Sequence, residues 1–583
     1  MADNNTISIN LNAYNGNVSE KLIEEAVEAY NDYKSDKEHF LTRIRDDERY
    51  YNDCYNKTSR TLKEEMNQST SFIISAIENY CADASESYPE PNILEREKEG
   101  VAAAEALSKL VPVLLDRSGF RKTYKKNNRN KAKFGTSIYG VFYDEATGEI
   151  DIRDIHIRDI YVDMHIENIQ DSQFLFIPAV VDNSYLKERY PEHKELFDGD
   201  TEVESLYRED YKLKNKSTVI DCYYKKPDGS VHMMKWCNST ILSATEDMKG
   251  YENGIYAHGK YPVVFDKLYP DSDSPFGFGF IDLGKPAQLA IDKLDRSITR
   301  NILTNSAPRV LTKKNANINK EALMDVENCI VEYEGDIDSV KPLESTQLNS
   351  DSLTFREYKK DELKELLANR DFQQGGTAGG VVAASAIQAL QQSGEKRARS
   401  IISDTYDAYK EIVTMVIEII RQFYNEPRSF RTKDANGRKS FMEFSNAQMN
   451  IARSEIVDNG DGTTSEAQKL VPAEFDVEVA AQKENPYTRE MLNETLLALW
   501  NGGVMSPENA DRALILLKSM SFDGKETLVS ELQDLLEKQQ QTTPEETPTS
   551  TPTPAPAGAM MPPQAQPAPA PDINTLMQGG NIL

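Results

Sequence analysis

Between Ser352 and Tyr424 the chain reads as a half-charged helix, a glycine-rich break and a second long helix with an apolar stripe. The first part, Ser352 to Asp371, carries ten charged residues in twenty. The break is Gln373-Gln374-Gly375-Gly376-Thr377-Ala378-Gly379-Gly380, and the second helix begins near Val382 and runs to Tyr424. Glycine has no Cβ and so moves freely through backbone conformations closed to other residues. A flexible loop slung between two long helices points to a part that moves against a large partner, not to a catalytic centre.

A chain of 583 residues predicts several domains, because one core rarely grows past about 250–300 residues. Hydrophobic residues make up 39%, enough for real cores. The formal net charge of −28 argues against a simple nucleic-acid binder, which presents a basic footprint. It is compatible with a protein that holds DNA loosely, since an acidic wall repels phosphates. Cys54, Cys81, Cys222, Cys237 and Cys329 form no C-x-x-C pair and read as reduced thiols of an intracellular protein. The six histidines are scattered, so neither a zinc site nor any other cofactor is expected. Residues 1–10 show no secretion signal. The most apolar run, Ile412 to Ile420, contains Glu418 and is far short of the ~20 residues that span a bilayer. No membrane association is expected.

Periodicity predicts helices over 18–66, 70–84 and 98–134, the last interrupted by Pro112. Strand patterns dominate 135–270. Ser137 to Tyr143 is one strand. Glu149 to Val162 alternates with two phase slips, which predicts several short, bent strands. Val219–Lys225 and Val231–Trp236 flank Pro227-Asp228-Gly229 as a hairpin. A helix over 285–305 would start at Pro286 and span roughly 31 Å. A small mixed unit follows, with strands Arg309–Thr312 and Asn328–Glu334 around a short helix near 319–326. Residues 428–482 read as β with a turn at 458–462, and 488–538 as three helical pieces. Residues 541–583 hold ten prolines among Thr, Ala and Gln, and read as a disordered tail.

Several motifs approach known chemistry. Gly279-Phe280-Ile281-Asp282-Leu283-Gly284-Lys285-Pro286 nearly spells a P-loop, but Pro286 stands where Ser or Thr should hold Mg²⁺. Gly375 to Gly380 could cradle phosphate through backbone N–H groups, yet contains no lysine or metal ligand. Asp271, Asp273, Asp458 and Asp461 lack the ligand ladder of a Ca²⁺ loop and read as turn residues. Arg117, Arg121, Lys122, Lys125, Lys126, Arg129, Lys131 and Lys133 place eight cations in seventeen residues. Such a helix is either a salt-bridged face against acidic neighbours or a nucleic-acid or subunit contact, made through Arg121, Lys122, Lys125, Lys126 and Arg129.

The order long helix, small α/β insert, charged helix, glycine loop, long helix resembles the centre of tailed-bacteriophage portal proteins. Three strings carry the resemblance: Gly375 through Gln391, Tyr358-Lys359-Lys360-Asp361-Glu362-Leu363 running into Asn369-Arg370-Asp371-Phe372, and Pro275-Phe276-Gly277-Phe278-Gly279. It extends over roughly residues 20–540, with no family signal in the first 20 residues or the tail. The resemblance implies a mixed α+β subunit of a dodecameric head-to-tail connector. It is expected in the virion, at one capsid vertex, after assembly in the host cytoplasm.

By the same resemblance, 1–284 holds N-terminal helices and a β-rich wing. Residues 285–305 and 351–372 form a stem, 306–350 a clip and 373–385 a tunnel loop. A long helix and β-rich return of the wing occupy 386–482, a helical crown 483–540 and the tail 541–583. The loop residues Gln373, Gln374, Gly375, Gly376, Thr377, Ala378, Gly379 and Gly380 would face double-stranded DNA. Lys359, Lys360 and Lys364 would belong to the stem. Arg309, Lys313, Lys314, Glu332 and Glu334 would dock partners at the clip, whose short strands would pair with neighbouring subunits. Implied partners are further copies of the chain, terminase large subunit, a head–tail adaptor, the major capsid protein and a scaffolding protein. The alternative reading is a DNA-processing enzyme, or another head–tail scaffold, gripping nucleic acid through 117–133.

Overall fold

A computed structural model describes residues 9, 14, 16–55, 72–198, 202–204, 212–306, 350–367, 396–433, 439–458 and 464–481. It also describes four strand pieces between 310 and 342 and isolated positions at 493–494, 496–498, 520 and 529. The tunnel-loop residues 373–385 lie outside the described residues. So do Arg309, Lys313, Lys314, Glu332, the expected helix near 319–326, most of the 458–462 turn and of 488–538, and the whole tail.

The chain opens with helix α1 (Glu20–Tyr55), whose Ile23, Ala26 and Tyr30 are buried at helical spacing. Helix α2 (Phe72–Glu86) follows, then strand β1 (Pro89–Glu95). The single 98–134 helix is in fact two: α3 (Val101–Arg117) and α4 (Phe120–Phe134). They part at Gly119, whose φ of 70° is left-handed and which the absence of a Cβ permits. Pro112 does not interrupt α3, which runs through it. The proline removes one N–H, and burial of Leu110, Val111, Leu114 and Leu115 on either side holds the helix together.

Strands β2 (Thr136–Asp144) and β3 (Glu149–Ile155) form an antiparallel hairpin. Further along are β4 (Phe174–Asp182), helix α5 (Asn183–Arg189) and the short pair β5 (Glu202–Glu204) and β6 (Lys212–Lys214). Strands β7 (Lys216–Lys225), β8 (Val231–Cys237), β9 (Thr240–Ala244) and β10 (Val263–Lys267) complete the β-rich part. Two antiparallel sheets result, ordered β10-β2-β3 and β4-β7-β8-β9. The β7–β8 hairpin turns at Gly229, where φ is 85°, as Pro-Asp-Gly predicts. The phase slips after Glu149 resolve differently from the expected run of bent strands. β3 stops at Ile155, and Ile157, Ile160 and Val162 are buried outside regular strand. Ile150 and Ile152 face one core and Ile155 the other, so the first slip does change faces.

Helix α6 (Phe280–Ser306) starts five residues ahead of Lys285, so Pro286 is interior and not in the first turn. Strands β11 (Val310–Thr312), β12 (Asn317–Ile318), β13 (Tyr333–Glu334) and β14 (Val340–Pro342) follow. They pair within the chain, β11 with β14 and β12 with β13, so these ladders do not need a neighbour as partner. Helix α7 (Ser350–Leu366) lies along α6, and helix α8 (Lys396–Phe423) comes after the glycine-rich segment. The chain returns through hairpins β15 (Arg428–Lys433)–β16 (Lys439–Phe444) and β17 (Asn450–Asp458)–β18 (Thr464–Pro472). Its last described strand, β19 (Phe475–Ala481), pairs antiparallel with β1 and ties the two ends of the body together.

Four principal cores hold this mixed α+β body. In the largest, Ile412, Val413, Val416, Ile419 and Ile420 of α8 meet α3, α4 and the inner face of β2–β3. A second packs Tyr30 of α1 edge-on against Phe176 and Trp236 of the four-stranded sheet. A third fills the space between the sheets around Ile138, Ile160 and Tyr261. The fourth joins α2, α6, α7 and the start of α8 through Ile73, Ile77, Ile291, Leu363 and Ile401.

Candidate functional site

The basic helix α4 is the first candidate. Phe120, Tyr124, Asn127, Asn128 and Lys131 recur at three- and four-residue intervals and are buried. Lys131 thus falls on the apolar face, fully enclosed. Its Nζ pairs with the Asp266 carboxylate of β10 and donates to Thr405 Oγ1 of α8 at 2.7 Å. Burial pushes the Asp266 carboxyl up, and Lys131 opposes that shift. Lys133 lies over the Tyr51 ring at 4.4 Å, and burial together with nearby Arg129 pulls it down to about 8.

The outward cations are mostly tied to neighbours. Lys126 meets Asp154 at 2.6 Å, Arg129 meets Glu78 at 2.8 Å and Arg117 meets Glu149 at 3.6 Å. The Arg121 guanidinium sits 5.3 Å from the centre of the Tyr88 ring. Lys122 and Lys125 remain exposed to solvent. The cluster is thus largely a salt-bridged face that fastens α4 to α2 and β3, and the end of α3 to β3.

The second candidate is the pair α6–α7. Asp295 of α6 takes two N–H donors of Arg356 on α7, Nη2 to Oδ2 at 3.1 Å. Lys359 pairs with Glu362 at 2.7 Å and Lys360 with Glu357 at 3.4 Å, both along α7, while Lys364 is half-buried. Glu334, alone of the proposed clip residues, is described, in β13 opposite Asn317.

The root of α6 is built from Pro275-Phe276-Gly277-Phe278-Gly279. A Cβ on Gly277 would stand 2.4 Å from the Tyr269 carbonyl oxygen, and one on Gly279 2.4 Å from that of Lys133. Only glycine lets this segment lie against the end of α4. Gly277 N–H donates to Thr136 Oγ1 at 2.8 Å, and Gly279 N–H to Asp282 Oδ2 at 2.8 Å. Asp282 thereby caps its own helix from the third position. Arg43 of α1 reaches Asp282 at 3.6 Å and the Gly277 carbonyl at 3.2 Å, and Lys285 reaches Asp47 at 3.1 Å. Burial, aided by Asp282, pushes Asp47 up to about 6, with Lys285 opposing. The near P-loop is therefore no phosphate cradle: from Phe280 it is helix, and Gly284 packs against Ile73 and Leu367.

A cleft of about 450 Å³ lies between the β2–β3 hairpin, α5 and the four-stranded sheet. Four of its charged residues pair with one another, Lys235 with Asp221 at 3.1 Å and Arg153 with Asp151 at 3.2 Å. Among the described residues no group of three or more His, Cys, Asp or Glu could hold a metal ion. No described helix is long and apolar enough to cross a membrane. The thiols of Cys81, Cys222 and Cys237 are free.

The Lys131–Asp266–Thr405 link and the Arg43–Asp282 contact were missed from sequence. The spacing Phe120, Tyr124, Asn127, Lys131 carried a signal for the first, and the helix-capping Asp three residues after Gly279 for the second.

Paired long helices rooted in a helix-and-sheet body describe a structural subunit, a part of a larger assembly. The chain belongs to the phage P22-like portal protein family, whose sequence profile matches residues 73–579. That family supplies the head-to-tail connector of the virion, at the capsid vertex. The matched span differs from the expected 20–540: it begins inside α2, omits α1 and continues through the proline-rich segment. A comparison with curated proteins finds no match.

Proposed function

We propose that this chain assembles into a dodecameric ring through which double-stranded DNA is packaged and later ejected. The observation that carries the reading is the family match over most of the chain, which includes both long helices and the glycine loop between α7 and α8. Helices α6 and α7 form the stem, with Lys359, Lys360 and Lys364 on it. Residues 306–350 form the clip, where Arg309, Lys313, Lys314, Glu332 and Glu334 meet the terminase large subunit during packaging and the tail adaptor afterwards. The sheets and α8 form the wing, and 483–540 the crown. Gln373 to Gly380 line the channel. The subunit is non-enzymatic, and the terminase supplies ATP hydrolysis.

Mass photometry of the purified protein tests the reading. A particle near twelve subunit masses is expected, and a stable monomer with nuclease or ATPase activity would overturn it. Replacing Gly375, Gly376, Gly379 and Gly380 with Ala should leave the ring intact and impair DNA packaging or retention. Loss of the ring itself would show that these glycines serve folding.

A further inference from the structure

The cleft between the β2–β3 hairpin, α5 and the four-stranded sheet has no part in the portal reading. Its volume of about 450 Å³ is that of a ligand site, which holds roughly 300–1,000 Å³. It opens where two separate cores meet one face of the sheet. Leu175 and Tyr223 on that face belong to the core shared with β2 and β10, and Val181 and Val219 to a smaller core under α5. Between them Ala179 of β4, on the same face, stays exposed. Four aromatic rings line the cleft. Two are held in place: Tyr143 stacks on Phe423 of α8 at 4.1 Å between ring centres, and the Arg153 guanidinium lies over Phe142 at 4.6 Å. The other two come from α5 and the residue that ends it. Tyr190 is half-buried. Tyr185 is 60% exposed and has no ring or hydrogen-bond partner among the described residues.

Charge in the cleft is nearly spent. Beside the Lys235–Asp221 and Arg153–Asp151 pairs, Asp144 accepts from the Ala146 N–H at 3.0 Å and from Thr147 Oγ1 at 2.9 Å. Arg189 is exposed and has no ion-pair partner among the described residues. A charged ligand would find most of its partners taken. An uncharged ligand with compact apolar rings and open carbonyls would find aromatic faces, two tyrosine hydroxyls and one guanidinium. A polyproline II chain is such a ligand: it makes no internal hydrogen bonds, its carbonyls face outward, and it docks in aromatic-lined grooves.

We infer that residues 551–571 dock as a polyproline II segment in this cleft of their own chain. That stretch holds eight prolines and no charged side chain, the composition that favours polyproline II. Its lack of charge suits a cleft whose own charges are paired. Proline rings would lie on Tyr185 and Tyr190, and backbone carbonyls would accept from the two hydroxyls and from Arg189. Length allows it. The residues from 541 to 571 span about 30 Å as a coil and up to about 95 Å extended, the scale of the whole body. Tethering favours it as well, since a short linker holds a segment near its site at an effective concentration in the millimolar range, enough for a weak contact. The contact forms within one subunit and does not depend on the ring.

Photo-crosslinking in the full-length protein tests it. One variant carries p-benzoylphenylalanine in place of Tyr185 and a second in place of Arg189. A third carries it in place of Tyr358, which is exposed on α7 outside the cleft. Tyr185 and Arg189 are both exposed, so either probe decides the matter if the other upsets the fold. Illumination and peptide mapping are expected to join both cleft probes to residues 551–571, at least fivefold more than the Tyr358 probe does. The product should run as a single chain on a denaturing gel. Replacing Pro552, Pro554, Pro556, Pro567, Pro569 and Pro571 with Ala should cut the cross-link at least fivefold. Equal capture by all three probes would mean chance collision with the tail and overturns the proposal. So does capture of another segment, no capture at all, or capture that the proline replacements leave unchanged. A two-chain product would put the tail of a neighbouring copy in the cleft, and also overturns it.

Discussion

Lys37 is fully buried on α1, between the Tyr161 and Phe276 rings, and donates to the carbonyl oxygens of Ile157 and Ile160. Burial pulls it from 10.5 down to about 7, opposed only in part by Asp159. Between those values the unfolded chain holds the proton and the folded chain does not, so stability rises with pH across that window. The slope is at most about 1.4 kcal/mol per pH unit. Urea midpoints for wild type and Lys37→Met, compared from neutral to alkaline pH, should show the wild type gaining relative to the variant. Parallel curves would mean that Lys37 keeps its proton. Lys131 poses the opposite case, a buried cation with a buried anion. Lys131→Met leaves Asp266 charged and alone and should cost about 3–5 kcal/mol, while adding Asp266→Leu should recover much of that. A double variant as unstable as the single one would show that packing around Thr405, not charge, is what Lys131 provides.

At the scale of elements, the root of α6 depends on glycine for close approach. Gly277→Ala would drive a Cβ to 2.4 Å from the Tyr269 carbonyl and 3.1 Å from that of Gly135, both backbone atoms. A destabilisation of about 1–3 kcal/mol is expected by thermal or urea unfolding. Gly100→Ala is the control. Its φ is −86° and its nearest new contact 3.5 Å, so it should change stability by less than about 0.5 kcal/mol. Equal effects would remove close packing as the reason for the Pro-Phe-Gly-Phe-Gly string. The same elements show what local sequence can and cannot announce. The stripe of α8 and the Pro-Asp-Gly hairpin of β7–β8 were legible because periodicity and turn chemistry are local. Strand β1 was not, because Pro89 and Pro91 mask its pattern and, among the described residues, its one ladder partner is β19, far along the chain. The end of β3 at Ile155 read as a bend between short strands because Ile157 and Ile160 stay buried after the ladder stops. Of the candidate site, the cations of α4 were visible as residue types. Their partners Glu78, Asp154 and Asp266 come from other elements, so only the fold distinguishes a salt-bridged face from a binding face.

At the scale of the whole molecule, one subunit carries a formal charge of −28, and the proposed ring would multiply it. The most basic segment is largely spent on internal partners: Lys126, Arg129 and Lys131 all answer carboxylates of their own chain. DNA moving through the proposed ring would meet repulsion in all directions and no strong grip. This separates a conduit from a clamp in one measurement. A protein that neutralises six to ten phosphates loses roughly 10³–10⁵ in affinity between about 50 and 200 mM salt, because binding releases counterions. The assembled ring should instead bind duplex DNA weakly at both concentrations, with little change in fluorescence anisotropy between them. A steep fall with salt would mean that the cations on α4 or α6 contact phosphate after all. Repeating the titration with Lys122→Ala/Lys125→Ala and with Lys293→Glu/Arg296→Glu/Arg300→Glu would then locate the contact. The exposed pair on α4 can account for at most about two released counterions per subunit. A larger slope per subunit would implicate the exposed Lys293, Arg296 and Arg300 of α6.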